Sequence, residues 1–123
     1  VKFHGRTDES TLEKIYQNSR IHLMPTTRQE GLPLTILEGM ANSMTTIASN
    51  IGGIPGVITD GVDGILTTPG NQSEFDQAFN NLLSNEEMIK QIGNSARKTT
   101  EERYSKQRMV DQTLAVLTEV IEK

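Results

Sequence analysis

The 123-residue chain has no cysteine. That excludes a disulfide scaffold, a Cys-ligated zinc site and a thiol nucleophile. Its two histidines are too few for a His-rich metal site. Aromatic residues make up only 4% of the chain, so a core must rest on Leu, Ile, Val, Met and Ala. No apolar run approaches the ~18 residues that cross a bilayer. A basic excess is also lacking: 12 Lys and Arg against 16 Asp and Glu leave a net charge of -4. This argues against nucleic-acid binding, which needs a basic patch. No signal-peptide pattern is visible.

What remains is the size of one domain, long enough to bury roughly two-thirds of its unfolded surface. Strand and helix signals alternate along most of it. Val1 to His4 reads as a short strand ended by Gly5, already under way at the first residue, so a piece of a longer protein is expected. Ser10 and Glu13 fit a capping box for a first helix, with Leu12, Ile15 and Tyr16 on one face. Arg20 to Met24 reads as a strand ended by Pro25, and Thr26 to Glu30 as a polar loop. Pro33 suits the first turn of a helix running to about Ala41. Thr45 to Ser49 is rich in β-branched residues and reads as a strand. Asn50 to Gly56 is a loop, Val57-Ile58 a helical or extended connector, and Ile65 to Thr68 a fourth strand. Asn71 with Glu74, then Asn85, cap two further helices. A final amphipathic helix spans about 105–122, with Met109, Leu114, Leu117 and Ile121 on one face. The alternation predicts an α/β fold, a Rossmann-like parallel sheet of about four strands with flanking helices.

The segment most suggestive of chemistry runs from Glu30 to Glu38. There a strand, a glycine-bearing loop and a helix start follow one another. Parallel α/β sheets bind ligands at the carboxyl ends of their strands. A helix start offers free N–H groups and a positive dipole end, which suit phosphate. Gly31 lets a ligand approach the backbone. A carboxylate repels phosphate but accepts hydrogen bonds from hydroxyls. Two glutamates around one phosphate cradle therefore describe a nucleotide-sugar site, one reading the ribose and the other the sugar. Glu38 aims back at the ligand because helical side chains lean toward the N-terminus. Read alone, a glutamate on a helix is a solvated surface residue. His4 and His22 fall on expected strands and read as buried, hydrogen-bonded side chains.

The pattern Glu30-x7-Glu38, within Glu30-Gly31-Leu32-Pro33-Leu34 and Leu37-Glu38-Gly39-Met40-Ala41, resembles the signature of retaining family 4 glycosyltransferases of GT-B fold. Ile47-Ala48-Ser49-Asn50-Ile51-Gly52-Gly53-Ile54-Pro55, Asp60-Gly61-Val62-Asp63-Gly64 and the tail from Ile92 to Arg97 agree with it. The resemblance covers nearly the whole chain. It implies that residues 1–123 are part of the C-terminal, nucleotide-sugar-binding domain of such an enzyme, incomplete at its N-terminal side. It assigns Glu30 to the transferred sugar as the catalytic position and Glu38 to the ribose. Gly31, Leu32, Pro33 and Leu34 become the backbone cradle, and Arg6 and Thr7 lie beside the nucleobase. The implied donor is a nucleoside-diphosphate sugar, a substrate, with no metal or other cofactor. The setting it implies is polysaccharide or glycolipid biosynthesis in the cytoplasm, with a peripheral position at the inner face of a membrane open to the full-length protein.

Departures from the family pattern are expected to act locally. Asn42-Ser43-Met44 lacks the glycine that usually caps this helix, so Asn42 is expected to take the left-handed turn. Gly56 stands where the family has a glutamate. The family's Arg and Lys that neutralise the diphosphate, and its acceptor-binding N-terminal domain, lie outside these 123 residues. The fragment alone is thus expected to be inactive. Its first strand, without its family neighbour, is expected either to pair with an exposed sheet edge or to stay loose, and that edge favours self-association. The alternative from another class is a non-catalytic α/β interaction module on the same scaffold.

Overall fold

The computed structural model describes residues 1–122. The element order is α1 (Glu9–Gln17), β1 (Ile21–Met24), α2 (Leu34–Ala41), β2 (Thr45–Ser49), a 3-10 turn at Ile54–Gly56, β3 (Ile65–Thr67), α3 (Gln72–Leu83), α4 (Glu86–Arg103) and α5 (Lys106–Ile121). The sheet is parallel, in the order β1-β2-β3, with Ile21 opposite Thr45 and Ile47 opposite Ile65. It has three strands rather than four. Val1 to His4 is exposed and forms no strand. Four residues of β pattern gain nothing without a partner for their N–H and C=O groups, so the segment stays loose. His4, expected to be buried, is exposed with it.

The central strand explains the layering. All five residues of β2 are buried, as expected for a parallel strand covered on both faces. Successive side chains point to opposite faces. Ala48 joins Ile36 and Met40 of α2, Ala96 of α4 and Ile54, Val57 and Ile58 in one core. Ile47 packs with Leu82 of α3 and Ile89 of α4 in the other. Polar groups at these positions are satisfied. The Thr45 hydroxyl donates to the Ile89 carbonyl at 2.7 Å. Asp63, buried between the β2–β3 connection and α4, accepts from the Thr59 amide (2.7 Å) and the Thr99 hydroxyl (2.8 Å).

Two later helix boundaries follow the expected caps: Asn71 and Asn85 accept from the amides of Glu74 and Met88. Ser105, at the expected start of the last helix, also caps it, accepting from the Arg108 amide. For α1 the cap is Asp8, not Ser10: its carboxylate accepts from the Thr11 amide (2.7 Å) and from the Ser10 hydroxyl (3.1 Å). A charged acceptor two residues earlier outcompetes a hydroxyl. Those bonds hold the Asp8 carboxyl below its ordinary range. At the end of α2, Ser43 rather than Asn42 takes the left-handed conformation, with φ of 58°. Its amide bonds the Met40 carbonyl, and the Met44 amide reaches back to Gly39. Helix α5 buries no side chain, and its apolar face (Met109, Leu114, Leu117, Ile121) is exposed. Among the described residues no helix is long and apolar enough to cross a membrane.

Candidate functional site

The site is built from the loops that leave the carboxyl ends of β1 and β2. The chain leaves β1 at Met24 and passes Glu30 before entering α2, whose N-cap is Pro33. Proline offers no side-chain cap. Helices α1, α3, α4 and α5 each carry a side-chain cap, whereas α2 carries none. The amides of Gly31, Leu32, Leu34 and Thr35 donate to no partner among the described residues. Free N–H groups at a helix start, with the positive end of the dipole behind them, make an anion-binding surface. A Cβ built on Gly31 would meet nothing within 4 Å. The protein's own packing therefore does not require a glycine there.

Both glutamates border this surface. Glu30 is half-buried in the loop, and Glu38 is exposed on α2. The Glu38 carboxylate accepts, at Oε2, a hydrogen bond of 2.7 Å from the Tyr16 hydroxyl of α1. Burial, with the bond to this carboxylate and its charge, pushes the Tyr16 phenol up to about 12. Behind Glu38, Gly39 lies against His22 of β1. A Cβ there would stand 3.2 Å from His22 Nδ1. The same ring nitrogen lies 3.4 Å from the Thr46 hydroxyl. Burial holds His22 below its ordinary range, and the nearby Glu38 charge pulls the other way.

The β2–β3 connection, on the other side of the site, is fixed by two glycines. The Gly53 amide donates to the Glu30 carbonyl at 2.8 Å. A Cβ on Gly52 would fall 2.1 Å from the Glu30 oxygen, and one on Gly53 would fall 1.8 Å from the Gly31 oxygen. Two successive glycines thus let one loop lie directly on the backbone of the other. By contrast, a Cβ on Gly56 would meet nothing within 4 Å, so this position has open space around it.

The expected site residues do not all converge. Glu30, Gly31, Pro33 and Glu38 surround the start of α2. The side chains of Leu32 and Leu34 instead face an apolar groove of about 730 Å³ against α5, shared with Leu37, Tyr104 and Leu117. Only their backbone remains available to the cradle. Arg6, exposed, and Thr7, half-buried, precede α1, and no hydrogen bond joins their side chains to either glutamate. A smaller cleft of about 170 Å³ opens at the ends of all three strands, lined by Thr27, Ser49, Thr67 and Asn71, and it includes neither glutamate. Sequence reasoning placed Tyr16 on the packed face of a helix and read Gly52-Gly53 as a turn. The available signals were a tyrosine whose hydroxyl must find a partner and a glycine pair just after a buried strand.

Comparison with known proteins bears on the family and the fold. The family described as Glycosyl transferases group 1 matches residues 1–99. An uncharacterised glycosyltransferase of Methanocaldococcus jannaschii is 30% identical over 97 residues, covering 79% of this chain and 27% of its own length. N-acetyl-alpha-D-glucosaminyl L-malate synthase of Bacillus anthracis is 30% identical over 122 residues, covering 98% and 31%. Among solved structures, HepE of Anabaena in complex with UDP and glucose superposes with a TM-score of 0.89 at 23% identity, over 97% of this chain and 32% of that one. The chain thus spans about 30% of the length of these proteins, and its fold is the one found in GT-B glycosyltransferases. With most of its length matched by the family, this chain belongs to the group 1 glycosyl transferases.

Proposed function

We propose that the chain is the donor-binding part of a glycosyltransferase that moves a sugar from a nucleoside-diphosphate sugar to an acceptor, with retention at the anomeric carbon. The observation that carries this reading is the uncapped start of α2, bordered by Glu30 and Glu38, in a chain of this family. In this reading the free amides of Gly31, Leu32 and Leu34 take the diphosphate, and Pro33 contributes shape and its carbonyl. Glu38 accepts from the ribose hydroxyls and Glu30 contacts the transferred sugar. Arg6 and Thr7 lie toward the base. The HepE relative of this fold binds UDP and glucose, which supports a nucleotide-sugar as donor here.

The chemistry asked of these residues is positioning and stabilisation of a leaving diphosphate. Fixed N–H groups face the oxygens on which charge accumulates as the glycosidic bond breaks. The 123 residues alone are expected to bind a donor without transferring its sugar. The longer protein would act in polysaccharide or glycolipid synthesis.

The test is an NMR titration of the chain with UDP. Amide shifts are expected in residues 30–38, and Glu38→Ala should weaken the binding that produces them. Gly31→Ala is the more telling variant. Its new methyl meets no protein atom within 4 Å, so melting should be unchanged while UDP binding falls. Equal UDP affinity in the wild-type chain and both variants would leave a non-catalytic α/β module as the better description.

A further inference from the structure

We propose that Tyr16 is a positioning residue that aims the Glu38 carboxylate at the ribose of the donor. The proposal rests on the reading of Glu38 as the ribose contact. Glu38 stands on the exposed side of α2, where a glutamate side chain ordinarily samples several rotamers. Here one oxygen, Oε2, is held at 2.7 Å by the Tyr16 hydroxyl. The other, Oε1, has no partner among the described residues. A carboxylate fixed at one oxygen presents the other in a set direction, and two vicinal hydroxyls can share its remaining lone pairs. Ordering the side chain before the ligand arrives removes that cost from binding.

The geometry favours this role over mere satisfaction of a tyrosine. The two residues are 22 positions apart and belong to different helices. No residue of helix α1 is fully buried, and Tyr16 is only partly so, so the bond is not a by-product of deep packing between the two helices. The backbone under Glu38 is independently fixed, because Gly39 is pressed against His22. The side chain is then the remaining freedom, and Tyr16 is the group that removes it. With its phenol pushed up to about 12, Tyr16 keeps its proton and stays a donor across the neutral range.

The experiment measures binding of UDP and of 2′,3′-dideoxy-UDP to the full chain and to the Tyr16→Phe, Glu38→Ala and doubly substituted variants. The wild type is expected to prefer UDP, and Glu38→Ala to erase the preference. Tyr16→Phe should weaken UDP binding about fivefold to tenfold, the weight of one hydrogen bond. It should leave dideoxy-UDP unaffected, which also shows that the variant is folded. In the Glu38→Ala background Tyr16→Phe should change nothing further. Unaltered UDP binding in Tyr16→Phe, beside a loss in Glu38→Ala, overturns the role of Tyr16 and leaves the ribose contact standing. An equal loss for both nucleotides in Tyr16→Phe makes Tyr16 structural and also overturns the proposal. No preference for UDP in the wild type overturns the ribose contact, and the role of Tyr16 with it.

Discussion

Replacing Gly53 by alanine tests how the two site loops are held together. The new Cβ would stand 1.8 Å from the Gly31 oxygen and 2.8 Å from its carbonyl carbon. Since carbon and oxygen approach to about 3.3 Å at closest, one loop must retreat by about 1.5 Å. That retreat stretches the 2.8 Å bond from the Gly53 amide to the Glu30 carbonyl, worth about 1 kcal/mol. Overpacking adds about 1–3 kcal/mol. The sum, about 2–4 kcal/mol, corresponds to a melting temperature lower by on the order of 10 °C in a domain of this size. The moved backbone is that of Glu30 and Gly31, so their amide resonances should shift and UDP binding should weaken. A displacement of about 1 Å at a reacting centre can cost about a hundredfold in rate. Gly56→Ala is the internal control. It lies in the same loop, with nothing within 4 Å of its Cβ and no positive φ. If Gly53→Ala melts within a degree of Gly56→Ala and leaves the Glu30 and Gly31 amides in place, the loop-on-loop contact does not exist as described.

Two further expectations concern α2 and its surroundings. Ser43→Gly should raise stability by about 0.5–1 kcal/mol, because Ser43 occupies a left-handed conformation with φ of 58° that a glycine adopts without the Cβ penalty; a lower melting temperature in the variant would show that its side chain contributes more than its backbone costs. His22 should confer pH dependence. Its folded value lies below the ordinary 6.5 because the ring is largely buried, so the unfolded chain takes up the proton first. The contribution is fully present above about pH 6.5 and is lost as pH falls through the interval down to the lower folded value. His22→Gln should flatten the decline of melting temperature between about pH 7 and pH 5, and an unchanged slope would exclude His22 as its source.

How much of this was legible in the residues differs by kind of interaction. The strand Thr45–Ser49 and the caps Asn71 and Asn85 are local patterns, and each appears where it was expected. The glutamate spacing across a loop and helix start was also readable, because the motif is a short run of chain. Val1 to His4 shows the limit of such reading. A β pattern states a preference, but a strand exists only where a neighbour completes its hydrogen bonds. Ser43 shows a different limit: Asn42 is the better left-handed residue by type, yet the Met44 bond to Gly39 places the turn one residue later. The Tyr16–Glu38 bond and the Gly52-Gly53 contact join distant segments. No spacing rule encodes them, and composition records only that a tyrosine and a glycine pair are present.

The shallow seating of α1 has a consequence for motion. A helix with no fully buried residue opens at little free-energy cost compared with the enclosed strand β2. Such opening detaches Tyr16 while the sheet stays intact, and Glu38 is then free to wander. Local fraying at one edge of the molecule would thereby set how often the carboxylate is ready, and anything that clasps α1 against α2 would raise that fraction without touching the ligand.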